Sequence, residues 1–275
     1  RAAHGAFHVL HDQSELDVRA ILEAAAAGDA PDGTDERKVG DLWAAFMDVD
    51  AIEAADADPL AADLAEIRDV ADADALVALL GRMQRHGTPG AIDFFVDNDG
   101  DDATRYVVNL VQSGLGLPDE AYYRDDAYAE VRAAYVDHLA AVFEMIGDPD
   151  PAGAAGRVMD LETALADSHW STVESRDAVK THNKRTRAQL DELAPGFAWD
   201  AWLAGMAAPD GSFDEVVVRQ PDAVAGVAVL LRDRPIEDWR AWLAYHHVRA
   251  ASPYLSSRFV ERNFAFYGTT LSGVP

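Results

Sequence analysis

The sequence lacks cysteine altogether. This absence excludes cysteine nucleophiles, thiolate zinc sites and a disulfide framework. Long apolar runs are also missing, and none approaches the roughly 20 residues that a transmembrane helix needs. Arg1 is not followed by the charged and apolar regions of a secretory leader. We therefore predict a cytoplasmic chain without a membrane segment, although export of a longer parent protein stays open.

Positive charge is scarce. The 275 residues contain 23 Lys and Arg against 49 Asp and Glu, which gives a formal net charge of −26. Nucleic acid and anionic membranes would repel such a chain, so neither is an expected partner. The hydrophobic fraction of 49% is nevertheless too high for a disordered acidic protein. The sequence thus predicts a folded domain with an acidic, solvated surface.

Most of the chain shows helical spacing of its apolar residues. A stripe that starts at Phe7 predicts a first helix ending near Gly28. Thr34 is positioned to cap a second helix, and either Asp72 or Asp74 starts another. Later segments continue the pattern, and Thr186-x-x-Gln189 forms a capping box. Neither internal repeats nor interdomain linkers interrupt the chain, so we predict one helical lobe over residues 1–275.

The apolar period changes between residues 93 and 112. Two runs rich in aromatic and β-branched residues, 93–96 and 104–112, flank the turn sequence Asn-Asp-Gly-Asp at 98–101. This arrangement predicts a β-hairpin, and Val216–Val218 is a candidate for one more strand. The expected fold class is therefore mainly α, a multi-helix lobe with one small β-hairpin.

Histidines recur at positions 4, 8 and 11. On a helix this spacing places His4, His8 and His11 on one face, and two His four residues apart is the spacing of zincin helices. The Glu that would follow the first His as general base is replaced by Gly5. Two interpretations stay open, a native zinc site and three partly exposed histidines that face a cleft.

Other local patterns favour structural roles. Residues 97–102 resemble a calcium loop, but Phe95 and Tyr106 occupy the positions that need Asp and Glu, so a solvated turn is expected. Of the adjacent pair His246–His247, at most one side chain faces the core. Residues 174–177, Glu-Ser-Arg-Asp, predict either a capping and salt-bridge cluster or an Arg that binds a substrate carboxylate. No nucleophile elbow, Walker loop or dinucleotide fingerprint occurs.

Four longer stretches, taken in order, resemble the neprilysin-like zinc metallopeptidases, a family that includes neprilysin, endothelin-converting enzyme and bacterial oligopeptidase O. The first is His-Gly-Ala-Phe at 4–7, and the second is Gly-Leu-Gly-Leu-Pro at 114–118, followed by Tyr122–Tyr123. The third joins Leu-Glu at 161–162 to residues 174–184, and the fourth is Asn-Phe-Ala-Phe-Tyr-Gly at 263–268. Together they span nearly the whole chain.

The resemblance implies an N-terminal, non-catalytic lobe. The family carries H-E-x-x-H and E-x-x-x-D later in the polypeptide than the fourth stretch, and neither motif occurs here. The lobe would form part of an internal chamber that admits oligopeptides and excludes folded proteins, and zinc would bind in the missing catalytic lobe. No metal site and no catalytic residue are therefore expected in this chain. The alternative is a stand-alone helical module that binds peptides or proteins without catalysis.

The resemblance also implies three substrate-binding residues near the start of the chain. Phe7 matches the family Phe that lines the cleft, while His8 and His11 replace charged family residues and would offer pH-dependent polar contacts. A lobe separated from its partner would expose an apolar patch near one or both termini, and self-association could cover it. Since animal relatives are disulfide-bonded, the lack of cysteine favours a bacterial member of the family.

Overall fold

The structure is a computed structural model that describes residues 5–274. The chain divides into two compact units, Arg1–Asp56 and Ala57–Pro275. In the first unit, helices α1 (Ala6–Ala27), α2 (Asp35–Phe46) and α3 (Val49–Ala55) follow one another. The predicted first helix and its end near Gly28 are confirmed.

Close backbone contact holds α1 against α2. A Cβ atom on Gly40 would lie 2.5 Å from the carbonyl oxygen of Ala25, so only glycine fits at this point of α2. Thr34 Oγ1 accepts a hydrogen bond from the Arg37 N–H at 3.3 Å, which confirms the predicted cap. None of the residues of α1 is buried. The first unit therefore packs its helices without enclosing an apolar core along α1.

The second unit contains ten α-helices and all four strands found in residues 5–274. In chain order these elements are α4 (Ala61–Asp69), α5 (Ala73–Arg85), β1 (Ile92–Asn98), β2 (Tyr106–Gln112), α6 (Ala121–Arg124), α7 (Ala129–Met145), α8 (Pro151–Ser168), β3 (Lys184–Thr186), α9 (Arg187–Leu193), α10 (Trp199–Met206), β4 (Glu215–Val218), α11 (Pro221–Asp233), α12 (Ile236–Ala251) and α13 (Ser257–Asn263). A π-helical segment, Phe264–Leu271, follows α13 directly. The fold is mainly α, as predicted.

The strands form one sheet in the order β1-β2-β4-β3. β1 and β2 make the predicted antiparallel hairpin, with Phe94 opposite Leu110. β4 contains the predicted strand at Val216–Val218 and pairs with β2 in parallel, with Leu110 opposite Val218. β3 adds an antiparallel edge. The hairpin is thus half of a four-stranded sheet, because strands from distant parts of the chain extend it.

The turn of the hairpin is exposed to solvent, as predicted, except at Asp99. The side chain of Asp99 is buried and forms two ion pairs. Lys184 Nζ lies 2.7 Å from Oδ1, and Arg105 Nε lies 3.0 Å from Oδ2. The hydrogen bond from Lys184 holds the pKa of Asp99 below its usual range. Through its ion pair with Lys184, Asp99 therefore links the turn of the hairpin to β3.

Helix α8 lies at the centre of the second unit. Its apolar stripe, Val158, Leu161 and Leu165, is fully buried and packs against α7, α11 and α12. Trp239 and Trp242 of α12 are fully buried in the same core. Burial of an aromatic side chain contributes roughly 2–3 kcal/mol to stability, so these layers supply much of the packing energy.

Helices α5 and α10 approach each other more closely than any side chain would allow. A Cβ atom on Gly81 would collide with the Trp202 carbonyl oxygen, and one on Gly205 would collide with the Ala78 carbonyl oxygen. The two glycines thus make reciprocal backbone contacts across the helix pair. We expect Gly81→Ala to lower the free energy of unfolding by about 2 kcal/mol or more, measured by urea denaturation.

The matched control for this change is Gly156→Ala on α8. Nothing lies within 4 Å of a Cβ atom at that position. Since alanine favours a helix interior over glycine by about 0.5–1 kcal/mol, the control is expected to stabilise the protein. Equal effects of the two substitutions would contradict the close-approach explanation.

Candidate functional site

The three predicted substrate-binding residues lie in the first two turns of α1. Phe7 and His11 are four residues apart on one side of the helix, with His8 beside them, and all three are exposed. Phe7 is 87% exposed. His11 Nε2 lies 3.2 Å from a Glu15 carboxylate oxygen, and His8 Nδ1 accepts the Gly5 N–H at 3.1 Å. The structure thus places a large apolar ring beside two imidazoles on one surface.

The alternative zinc interpretation includes His4, which lies outside the described residues. Within residues 5–274, no group of three or more His, Cys, Asp or Glu side chains could hold a metal ion. The described part of the chain therefore offers no fitting site for zinc.

The first unit also carries a large exposed apolar surface. Its members are aliphatic, sulfur-containing and aromatic side chains of α1, α2, the following turn and the start of α3, namely Phe7, Val9, Leu10, Leu16, Val18, Ile21, Val39, Leu42, Phe46, Met47 and Val49. Apolar surface on this scale is typical of an interaction site in a soluble protein. This confirms that apolar side chains are exposed near the N-terminus.

In the second unit, the loop at Gly114–Pro118 is fixed by buried side chains. The Gly116 N–H donates to Glu162 Oε2 at 3.1 Å and also to the Tyr123 hydroxyl at 3.1 Å. The Leu117 N–H donates to the same hydroxyl at 3.0 Å. Trp242 Nε1 donates to the Gly114 carbonyl oxygen at 2.9 Å. The loop therefore has one defined conformation.

The carboxylate of Glu162 is fully buried and collects hydrogen bonds from several elements. The Tyr123 hydroxyl donates to Oε2 at 2.5 Å, and the Tyr135 hydroxyl donates at 3.0 Å. His246 Nε2 lies 2.8 Å from Oε1 and donates to it. A buried carboxylate is tolerated only when its oxygens are hydrogen-bonded. Here α6, α7, α12 and the loop each supply a donor.

The protonation states of this cluster follow from burial. Burial raises the pKa of Tyr123 and Tyr135 well above the ordinary value, so both remain phenols that donate. Burial also lowers the pKa of His246, which keeps the imidazole neutral with its proton on Nε2, toward Glu162. The cluster is thus a carboxylate surrounded by neutral donors.

A second buried layer joins the π-helical segment to the same loop. The Tyr245 and Tyr267 hydroxyls lie 2.7 Å apart, and Tyr267 donates to the Gly116 carbonyl oxygen at 3.0 Å. The ring of His138 stacks on Phe266, with centroids 4.8 Å apart. Burial lowers the pKa of His138 to about 3, so this imidazole is neutral at physiological pH.

The sequence indicated the parts of this cluster without joining them. Glu162 and Tyr123 lie in stretches that resemble the family. At most one of His246 and His247 was predicted to face the core, and the structure buries His246. Tyr135 belongs to an apolar helical stripe. A signal was present at Glu162, because a charged residue stands inside the buried stripe Val158, Leu161 and Leu165. An acid in such a position needs buried donors, and their identity depends on the tertiary fold.

Within residues 174–177, the two carboxylates, Glu174 and Asp177, form the capping and salt-bridge cluster that was one of the two predicted alternatives. Glu174 accepts hydrogen bonds from Ser171 and Lys180, and Asp177 Oδ1 accepts the Val179 and Lys180 N–H groups at 2.9 and 3.1 Å. Arg176 differs, since no carboxylate of residues 5–274 lies within ion-pairing distance of it. Its guanidinium remains available on the surface.

Comparisons with known proteins agree with this fold. The family model described as Peptidase family M13 matches residues 1–275. The Mycobacterium tuberculosis zinc metalloprotease Zmp1, solved with an inhibitor, has a TM-score of 0.95 and 43% identity over 100% of this chain and 42% of that chain. PepO from Lactobacillus rhamnosis HN001 shares the fold, with a TM-score of 0.84 at 19% identity over 100% of this chain and 44% of that chain.

Curated relatives point the same way. Mouse endothelin-converting enzyme-like 1 is 27% identical over 95% of this chain and 36% of its own length. Guinea pig (Cavia porcellus) endothelin-converting enzyme 1 is 27% identical over 66% of this chain and 25% of its own length. The chain thus spans about a third or less of these relatives.

The class defined by the fold and these matches is the helical N-terminal region of a neprilysin-like metallopeptidase. The chain belongs to Peptidase family M13. Among the helices of residues 5–274, none is long and apolar enough to cross a membrane.

We expect Glu162→Ala to lower the free energy of unfolding by about 3 kcal/mol or more, because four buried donors lose their acceptor. Urea denaturation measures the change. Glu192→Ala, on the exposed surface of α9, is the control and is expected to stay within about 0.5 kcal/mol of wild type. A small effect at Glu162 would show that the cluster contributes little to stability.

The buried histidines make stability depend on pH. The folded-state pKa of His138 is about 3, while the unfolded value is near 6.5, so protonation below pH 6.5 favours the unfolded chain. Between pH 7.5 and 5.5 this His is expected to remove about 1.4 kcal/mol of stability. The variant His138→Phe lacks the contribution, so the stability difference between wild type and variant should shift by that amount. Parallel pH curves for the two proteins would contradict the assignment.

Proposed function

We propose that this chain is the N-terminal, chamber-forming lobe of a zinc metalloendopeptidase that hydrolyses oligopeptides. In this proposal the lobe restricts the size of substrates and lines part of the cleft, and it performs no catalysis alone. The observation that carries the proposal is the match of all 275 residues to Peptidase family M13, combined with their span of only 42% of the Zmp1 chain.

The lack of the family's catalytic motifs in this sequence supports a non-catalytic role for the lobe. The sequence contains no H-E-x-x-H, and the described residues offer no metal-binding group. Zinc is therefore expected in a catalytic lobe encoded beyond Pro275. Oligopeptides are the proposed substrates of the whole protein, and the cytoplasmic location stays a prediction from the sequence.

The exposed side of α1 supports a role in substrate contact. Phe7 offers an apolar ring to a peptide side chain, while His8 and His11 offer imidazole groups to its polar backbone or terminus. The three side chains are exposed in this chain, so a substrate in a facing cleft could reach them. We propose Phe7, His8 and His11 as the substrate-binding residues of this lobe.

The remaining apolar surface of the first unit supports a contact with the catalytic lobe. Leu10, Val18, Ile21 and Leu42 are among the exposed apolar residues. The chain spans 42% of the solved Zmp1 chain. In this proposal, the part of the protein that corresponds to the remaining length covers the apolar surface. Self-association of the isolated chain through the same surface is the competing outcome.

The first test concerns the chain alone. The 275-residue chain is expected not to hydrolyse an internally quenched fluorescent peptide, with or without added zinc, because it lacks the family motifs. Turnover that a chelator abolishes would overturn the proposal.

Sequencing of the reading frame beyond codon 275 separates the alternatives. A continuation to about 650 residues with H-E-x-x-H supports the enzyme, and a stop near codon 275 supports a stand-alone binding module.

The second test concerns α1 in the full-length enzyme. Phe7→Ala is expected to raise KM for an oligopeptide several-fold with little change in kcat, because a contact with bound substrate is lost. His8→Ala and His11→Ala are expected to raise KM by a smaller factor, because each removes one polar contact. Gln13→Ala, an exposed change on the same helix, is the control. Unchanged KM in all three variants would remove these residues from the cleft.

A further inference from the structure

Two arginines of the second unit, Arg249 on α12 and Arg262 on α13, have no counter-charge. No carboxylate of residues 5–274 lies within ion-pairing distance of either guanidinium, and neither donates a hydrogen bond to a residue in that range. Both side chains are half-buried. A cation that is partly removed from water needs a partner, because its uncompensated burial is costly. The two arginines therefore indicate a site for an anion from outside residues 5–274.

The two guanidinium groups border the same aromatic cluster. Arg249 Cζ lies 4.3 Å from the centre of the Tyr267 ring, and that centre lies 5.6 Å from the centre of the His138 ring. Arg262 stands four residues, about one helical turn, before Phe266, whose ring stacks on His138. Burial lowers the pKa of His138, and the charges of Arg262 and Arg249 lower it further, which agrees with a shared location.

Both cations can be reached by a partner. Arg249 has no enclosed nitrogen, and Arg262 has one, Nε, while its two terminal nitrogens keep exposed surface. The Arg262 guanidinium is thus enclosed on one side and open on the other. A carboxylate suits such a group, since it accepts charge-assisted hydrogen bonds from the outer nitrogens of an arginine.

The neighbouring carboxylates do not fill this role. Glu162 acts electrostatically on Arg249, but its two oxygens already accept hydrogen bonds from four donors. Glu261 and Asp137 are exposed neighbours in sequence of Arg262 and His138, and neither forms an ion pair with the two arginines. The chain has 49 Asp and Glu, yet none is placed against these two cations.

The helix that carries Arg262 is also uncovered on another face. Val260 and Phe264, one turn apart, are 42% and 49% exposed. A small anion would neutralise the arginines and leave these apolar side chains in water. A polypeptide partner covers both, because protein interfaces combine apolar contacts with Arg-centred polar ones. The described surface thus favours a protein partner that carries an acidic residue.

We propose that Arg249 and Arg262 dock the catalytic lobe of the same polypeptide by binding a carboxylate side chain of that lobe. This inference rests on the proposed function, because it needs a catalytic lobe that follows residue 275. The charge contact fixes the orientation of the lobe, since an ion pair at an interface sets its register. The exposed apolar side chains of α13 and the π-helical segment add contact area.

Zero-length cross-linking of the full-length enzyme tests this inference. Arg249→Lys and Arg262→Lys keep the positive charge and add a primary amine, which a carbodiimide couples to a carboxylate in direct contact. We expect each variant to form a cross-link from the introduced amine to an Asp or Glu beyond residue 275, identified by mass spectrometry of the digested protein. Arg68→Lys, an exposed change on α4, is the matched control and is expected to form none.

Hydrogen exchange gives a second readout. The amides of residues 260–271 are expected to exchange about tenfold more slowly, or slower still, in the full-length enzyme than in the 275-residue chain. Arg262→Gln should remove most of this protection in the full-length enzyme, because the partner carboxylate loses its counter-charge. In the 275-residue chain the same variant should stay within about twofold of wild type. A purely structural role of Arg262 would speed exchange equally in both proteins.

The docking role is wrong if neither Lys variant links to a residue beyond 275, or if the links reach only acids within residues 1–275. A link to the C-terminal carboxylate of an added oligopeptide, in place of the enzyme's own residue, would assign the arginines to substrate and also contradict docking. An enzyme that hydrolyses peptides without giving the cross-link overturns this inference alone. A full-length protein that gives the cross-link without zinc-dependent turnover overturns the proposed function alone.

Discussion

The second unit depends on how it accommodates one buried negative charge. Glu162 stands in the middle of the buried face of α8, where an uncompensated carboxylate would cost several kcal/mol. The cost is avoided because Tyr123, Tyr135, His246 and a backbone N–H all donate to it. Each donor comes from a different element, so one charge fixes the relative positions of α6, α7, α8 and α12. Apolar packing alone would tolerate more than one arrangement of these helices.

The same constraint positions the Gly114–Pro118 loop. Since Gly116 bonds to Glu162 and Tyr267, the loop is supported from both sides by buried groups. The first unit presents the opposite case, because α1 has no buried residue and displays apolar side chains to solvent. The polar groups around Glu162 in the second unit find their hydrogen-bond partners within the chain, whereas the first unit exposes an apolar surface suited to a further partner.

Local features of the fold could be predicted from the sequence, while long-range ones could not. Helical spacing, the cap at Thr34 and the capping box at Thr186 located helices correctly, because each signal lies within a few residues. Of the two predicted helix starts, Asp72 and Asp74, the structure has Asp72 as the N-cap. The hairpin and the strand at Val216–Val218 were also recognisable. Strand β3 was missed, since its three residues are polar and its pairing with β4 is tertiary. The Glu162 cluster was missed for the same reason, because its members meet only after folding.

The parallel pairing of β2 with β4 has a consequence for the order in which the molecule is assembled. Gln112 and Gln220, which hydrogen-bond at the end of this strand pair, are 108 residues apart in sequence. The β1–β2 hairpin is local and can form early, whereas β2 must wait for β4 while α6 to α10 are still being organised. Closing so long a loop is entropically costly and slows folding. During synthesis the edge of β2 that pairs with β4 stays unpaired until β4 has left the ribosome, and an unpaired strand edge is open to wrong strand pairing.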